Sequence, residues 1–133
     1  MSKKDSSKYV VYRDLDYLEQ NIGKTIGNGE CVSLVQNQGS RTSVNVGVTG
    51  TWKKGSEKAS ATKDLKKGAI IVFIPGKKWK NDGSCHVAVF LKHKKDSIVV
   101  IDQNFGARHV KKHELSYKSV GVNCGKNYYP LLK

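Results

Sequence analysis

Negative charge is scarce in this chain: 11 acidic residues stand against 24 basic ones, a formal net charge of +13. That balance biases the surface towards polyanions such as nucleic acid, anionic lipid headgroups and bacterial wall polymers. Arginine is scarcer still, since only three of the 24 basic residues are Arg (Arg13, Arg41 and Arg108). Specific reading of bases and phosphates leans on the planar guanidinium fork, so a lysine-dominated surface fits diffuse electrostatic attraction instead. Neither a helix-turn-helix, nor an RNA-binding pair of aromatic strands, nor zinc-type cysteine spacing is present, which argues against a specific nucleic-acid module. Long apolar runs are missing too. The longest, such as Ala69–Ile74, is far too short to span a bilayer, so no membrane insertion is expected. The first 20 residues carry Asp5, Arg13, Asp14, Asp16 and Glu19 and no apolar stretch of signal-peptide type. The expectation is a protein that is cytoplasmic, or exported without a cleaved signal peptide. Cysteines number three (Cys31, Cys85 and Cys124), so at least one is free in a monomer. Cys85 and Cys124 either pair or remain reduced core residues.

A length of 133 residues with 38% hydrophobic content, gathered in runs, fits one domain with a real core. Residues 1–8 are rich in Lys, Ser and Asp and read as a flexible N-terminus; residues 9–133 read as a single domain. After an extended piece from Tyr9, Leu15, Leu18 and Ile22 mark one face of a short helix with Asp14 as its N-cap. A glycine-rich loop, 23–29, leads into a second helix over 30–38, ended by Gly39. Val44, Val46 and Val48 alternate in what is either a weak strand or an irregular loop. Strands are expected at Ala69–Ile74, stopped by Pro75-Gly76, then at His86–Leu91 and Ser97–Ile101 with a hairpin-length turn between them. Gln103–His109 reads as a loop or edge strand, and 117–129 as one or two last strands. Helices first and clustered short strands afterwards predict an α+β domain, with N-terminal helices packed on a small antiparallel sheet.

Three residues suggest chemistry. Cys31 follows Gly27-Asn28-Gly29-Glu30 and is expected in the first turn of the second helix, where unpaired N–H groups favour a thiolate. His86 opens one strand and Asp102 closes the next. In an antiparallel hairpin those positions lie at the same end of the sheet. His86 stands about nine residues before the turn and Asp102 about seven after it, a mismatch that the turn or a bulge absorbs. A thiol nucleophile, an imidazole base and a carboxylate that orients it are the parts of a cysteine hydrolase. The Cys31 N–H is placed to meet a developing oxyanion. Trp79 and Trp52 are candidate groove residues, with Lys77 and Lys78 drawing in an anionic substrate. His109 and His113 have the i, i+4 spacing of some helical metal sites, but no third ligand accompanies them, so neither a metal nor another cofactor is expected. Cys85, one residue before His86, is a rival thiol.

Gly29-Glu30-Cys31-Val32-Ser33-Leu34-Val35-Gln36 resembles the nucleophile motif of the NlpC and CHAP families, papain-like cysteine peptidases and amidases of bacterial cell walls. Leu65-Lys66-Lys67-Gly68-Ala69-Ile70-Ile71-Val72-Phe73 resembles their next strand, with Ala69 where an acidic residue is common. Ser84-Cys85-His86-Val87-Ala88-Val89-Phe90-Leu91 is similar to the strand of the catalytic histidine, with Cys85 in place of a common Gly or Ser. Ile98-Val99-Val100-Ile101-Asp102-Gln103-Asn104 is similar to the strand of the third catalytic residue. The resemblance covers about residues 25–105. It implies a papain-like fold and catalytic roles for Cys31, His86 and Asp102, with Asn104 and Asn28 as candidate assisting residues. It is strongest towards small amidase effectors delivered by type VI secretion. That implies an antibacterial peptidoglycan amidase or endopeptidase acting on the stem peptide in the target-cell periplasm or wall, with a cognate immunity protein as partner. The alternatives are an inactive binding module on the same fold, a different thiol enzyme, and a basic nucleic-acid-binding protein.

Overall fold

In the computed structural model, which describes residues 8–36, 42–43, 46, 49–80, 83–104 and 108–133, the apolar runs become the middle of one sheet. The strands are β1 (Ile70–Phe73), β2 (His86–His93), β3 (Ser97–Gln103), β4 (Val110–Ser116) and β5 (Tyr129–Pro130). Their spatial order is β4-β3-β2-β1-β5, and every neighbouring pair is antiparallel. Most of β1 and β2 and all of β3 are buried. This is why they read as continuous apolar runs rather than alternating ones. On one face Val72, Val87, Val89 and Ile101 pack beneath Leu18, Ile26, Leu34 and Val35 from the N-terminal segment. On the other, Ile71, Ala88, Phe90 and Val100 pack against Tyr9, Ala59, Leu65 and Tyr128. The expected α+β architecture is the one observed.

The N-terminal elements are shorter than their apolar spacing predicts. Helix α1 (Leu15–Gln20) starts where expected, with the Asp14 carboxylate accepting the Tyr17 N–H at 3.2 Å. Leu18 is fully buried, but Ile22 lies past the helix end, bridged in parallel to Val110 and 40% exposed. Helix α2 spans only Ser33–Gln36. Residues 37–41, 44, 45, 47 and 48, and with them the expected Gly39 stop and most of the valine alternation, lie outside the described residues. So do residues 1–7 of the expected N-terminal tail.

Two strand expectations are refined. Of the segment 103–109, read as a loop or an edge strand, Gln103 ends β3, Asn104, Arg108 and His109 belong to no strand, and 105–107 lie outside the described residues; β4 begins at Val110, and its sequence Val-Lys-Lys-His-Glu-Leu-Ser hid it. Only Val110 and Leu115 are buried there, as suits an edge strand guarded by lysine. Conversely, the alternating Val120 and Val122 belong to no strand. Single 3-10 turns occupy Gly121–Asn123 and Gly125–Asn127, Val120 is 81% exposed, and the last strand has two residues. Gly121, with φ +60°, breaks the extended conformation between the two valines.

Gly68 joins the N-terminal segment to the sheet. Its N–H donates to Phe90 O and its carbonyl accepts from the Tyr12 N–H, both at 2.7 Å. Its φ is +99°, and a Cβ there would lie 2.5 Å from the Tyr12 carbonyl oxygen. Only glycine satisfies both conditions.

Candidate active site

β2 and β3 form the predicted hairpin. The register runs Ala88↔Asp102, Val89↔Ile101, Phe90↔Val100 and then Lys92↔Val99, leaving Leu91 as a bulge. The bulge absorbs the unequal arm lengths and sets His86 two residues beyond the partner of Asp102, on the same face. His86 Nε2 and Asp102 Oδ2 lie 2.8 Å apart. A carboxylate can only accept, so Nε2 carries the proton.

The second partner of His86 is Cys31, whose side chain is hydrogen-bonded to it. Cys31 is not in the first turn of α2, as its sequence context suggests, but in the turn ahead of it. Short i to i+3 bonds carry the backbone there: Ser33 N–H to Glu30 O, Leu34 N–H to Cys31 O and Val35 N–H to Val32 O. Asn28 shapes the approach, its Oδ1 accepting from the Glu30 N–H at 2.9 Å and from the Ser33 hydroxyl. A four-residue helix has little macrodipole, so the electrostatic partner of the sulfur is the imidazole. Burial pushes the His86 imidazole down, but hydrogen bonds to Asp102 and Cys31, and the charges on both, more than reverse this and raise it to about 9. Burial pushes the Asp102 carboxyl up, and hydrogen bonds from His113 and His86 more than reverse that, leaving it below the usual carboxylate value.

Two contributors escaped sequence reasoning. Gln103 is fully buried and faces away from Asp102 along the strand. Its Oε1 accepts the Ile26 N–H at 2.7 Å, and its Nε2 donates to the carbonyls of Ile26 and Glu30, each at 2.9 Å. It pins both ends of the cysteine loop to β3. A polar residue in an otherwise apolar strand was the available signal. The other is His113 on β4, whose Nε2 lies 2.8 Å from Asp102 Oδ1 and 2.9 Å from Oδ2. His109 and His113 have no helical relation, because β4 is extended. Among the described residues no group of three His, Cys, Asp or Glu side chains is arranged to hold a metal ion.

The trio opens on a cleft of about 820 Å³ at the end of the sheet. Glu30, Cys31, Cys85, His86, Asn104 and Trp79 line it, with Lys80 and Lys111 as its cations and Val122 and Asn123 as a further wall. Asn104, the one described non-glycine residue with positive φ (62°), donates to Glu30 Oε1 at 3.3 Å. Arg108 steadies the same loop through Asn28 O at 2.7 Å and Glu30 Oε2 at 3.4 Å. Of the two tryptophans, Trp79 lines the cleft and Trp52 does not. Trp52 is 6% exposed, donates its indole N–H to Val46 O, and stacks edge-on under Trp79 at 5.0 Å. Lys77 and Lys78 are exposed and stand outside the cleft lining, where Lys80 and Lys111 take their place.

All three cysteines are free and buried, so Cys85 and Cys124 are not paired. Cys124 donates its thiol to Tyr117 O. Cys85 packs with Val87 and Val89, on the face opposite Ala88 and Phe90 and therefore opposite His86 by strand alternation. Its sulfur takes the Lys80 N–H at 3.4 Å. The thiol hydrogen-bonded to the imidazole is that of Cys31.

An α+β domain whose sheet end gathers a thiol, an imidazole and a buried carboxylate beside a cleft has the parts of a cysteine-dependent hydrolase. The family model described as "Domesticated amidase effector 2" matches residues 7–131, and the chain belongs to that family. Among solved structures it is similar to "Type 6 secretion amidase effector 2 (Tae2)", with a TM-score of 0.72 and 24% identity over 92% of this chain and 94% of that one. It is also similar to the structure titled "The crystal structure of Ly7917", with a TM-score of 0.50 and 16% identity, covering 89% of this chain and 59% of that one. At these identities the likeness is one of fold. No curated protein matches by sequence. Among the described residues no helix is long and apolar enough to cross a membrane.

Proposed function

We propose that this protein is a cysteine amidase or endopeptidase that cleaves an amide bond in the stem peptide of bacterial peptidoglycan. Cys31 is its nucleophile, His86 its acid and base, and Asp102 the group that orients the imidazole. The observation that carries this reading is the hydrogen-bonded chain Cys31–His86–Asp102 at the mouth of a cleft, in a member of an amidase effector family. With the imidazole raised to about 9, His86 holds at neutral pH the proton that it must carry to the leaving group. The sulfur attacks the amide carbonyl, and the Cys31 N–H meets the developing oxyanion. His86 passes its proton to the leaving amine, which departs to leave a thioester. Neutral His86 then takes a proton from water, which attacks the thioester and frees the carboxylate and the thiol. Asp102, with no exposure to solvent, holds the Nε2–H tautomer throughout. Trp79 offers an aromatic face to the peptide or sugar, Lys80 and Lys111 face its carboxylates, and Asn104 and Asn28 shape the wall and loop beside the sulfur.

In this reading the protein is an antibacterial effector that acts on the wall of a target cell and is neutralised in its producer by a cognate immunity protein. The test is incubation with purified peptidoglycan and mass analysis of the fragments, comparing wild type with Cys31→Ala, His86→Ala and Cys85→Ala. New amine termini with wild type and Cys85→Ala, but with neither of the other two variants, support it and identify the bond. No new termini with wild type sink it. Loss of activity in Cys85→Ala with activity retained in Cys31→Ala would move the nucleophile to Cys85.

A further inference from the structure

Asp102 accepts from two imidazoles, and the chemistry above uses one. β3 lies between β2 and β4, with Ala88 and Lys111 as the cross-strand partners of Asp102. His86 and His113 each stand two residues from those partners, towards opposite ends of the sheet. An offset of two keeps a side chain on the same face, so the three groups form a diagonal across β2, β3 and β4. The contacts to the carboxylate differ. His86 meets Oδ2 alone, at 2.8 Å, whereas the His113 Nε2–H is shared between Oδ1 at 2.8 Å and Oδ2 at 2.9 Å.

We propose that His113 is a positioning residue for the hydrolysis, clamping both oxygens of Asp102 so that Oδ2 stays presented to the His86 Nε2–H. The proposal rests on the assignment of Cys31, His86 and Asp102 as the reacting set. A carboxylate with no solvent exposure is costly unless it is well supplied with donors. It also needs a fixed rotation, because a turn about its Cβ–Cγ bond would break the bond to the base. The His86 contact to one oxygen cannot fix that rotation, but the His113 N–H shared by both oxygens does. The hydrogen bond from His113 is also the largest of the contributions that hold Asp102 ionised. The charged and titratable groups gathered around this diagonal are His86 from β2, Lys111 and His113 from β4, Cys31 from the turn before α2 at the sheet end, and Tyr128 ahead of β5, its ring 6.5 Å from that of His86. The side chain of His113 is 20% exposed, so it can be replaced at the rim of the core.

The test follows His86 directly, by NMR titration of its ring C–H resonances, alongside kcat and KM against pH for wild type, His113→Phe and His113→Gln. In His113→Phe the carboxylate loses a donor and its fixed rotation. The His86 midpoint is expected to fall by about one pH unit, and kcat about tenfold, with KM within about twofold, in the range seen for residues that orient a reacting group. The Gln side-chain nitrogen reaches the position of Nε2, so His113→Gln is expected to restore the midpoint and most of kcat. An unchanged His86 midpoint in folded His113→Phe, or His113→Gln as impaired as His113→Phe, would overturn the proposal. Should His113→Phe fail to fold, His113→Asn, too short to reach the carboxylate, takes its place under the same criteria. Absence of wild-type activity would instead remove the hydrolase reading, while the titration would still report whether His113 acts on His86 through Asp102.

Discussion

Cys31 and Cys85 line one cleft, yet only Cys31 shares a hydrogen bond with the imidazole. Cys31→Ala is therefore expected to lower the rate of peptidoglycan cleavage by about 10⁴-fold or more, whereas Cys85→Ala keeps it within about threefold, because the Cys85 sulfur is engaged by the Lys80 N–H rather than by the imidazole. Rates of fragment release check both. The activity of wild type should fall on the alkaline side near pH 9, where His86 gives up its proton, and a kcat/KM profile reads that limb. Stability carries the same signature. The folded state holds the His86 proton more tightly than the unfolded chain, so this contribution is complete below about pH 6.5 and is lost as pH rises through about 9. Asp102 acts in the opposite sense, since its carboxyl is lowered: its contribution is present above the usual value of 3.8 and is lost as pH falls through the folded value. Both are whole between about pH 4 and 6.5, and denaturant midpoints across pH should be highest there as far as these two groups decide it.

At the scale of elements, the cysteine loop depends on β3 more than on its own short helix. Gln103→Leu leaves the Ile26 N–H and the Ile26 carbonyl without their side-chain partner and takes one donor from Glu30 O. It is expected to cost about 2–4 kcal/mol in urea unfolding and to lower kcat beyond what the loss of folded protein explains. Gly68→Ala combines a φ of +99° with a Cβ 2.5 Å from Tyr12 O, and about 2–4 kcal/mol is expected there too, with the cleft itself untouched. The sequence displayed the elements unevenly, for physical reasons. β1, β2 and β3 are covered on both faces and had to be apolar, so their runs were legible, and with them the end of the hairpin where His86 and Asp102 meet. Cys31 was legible through its glycine-rich approach. β4 was not, because an edge strand needs polar residues on its open side, and Lys111, Lys112 and Glu114 look like loop. His113 drew notice only for its spacing from His109, and its contact to Asp102 went unseen for the same reason: that role exists only through the β3–β4 register. Gln103 was passed over because a side chain that bonds to backbone leaves no pattern of partner residues to find. Trp52 misled because an aromatic beside a basic loop looks the same in sequence whether it lines a cleft or props up the residue that does.

For the whole molecule, a charge of +13 makes encounter with an anionic wall sensitive to salt. The Debye length shortens from about 10 Å at 0.1 M to about 3 Å at 1 M. Sedimentation with purified sacculi is expected to show binding falling about tenfold or more between low and high salt. Cleavage of a short soluble stem peptide, which presents few charges, should change far less. Equal salt dependence for both substrates would place the electrostatics in the cleft, at Lys80 and Lys111, rather than over the surface.

β3 ends in two consecutive residues that reach opposite sides of the sheet, Asp102 gripping the base and Gln103 gripping the loop of the nucleophile. A displacement of that strand tip is thus a common-mode displacement: sulfur and imidazole are carried along together, and the gap between them is conserved to first order. The dipeptide acts as a mechanical datum for both halves of the site. Transplanting the chemistry to another scaffold would require Asp102-Gln103 to travel as one piece, since the three reactive side chains alone would arrive without the part that keeps them in step.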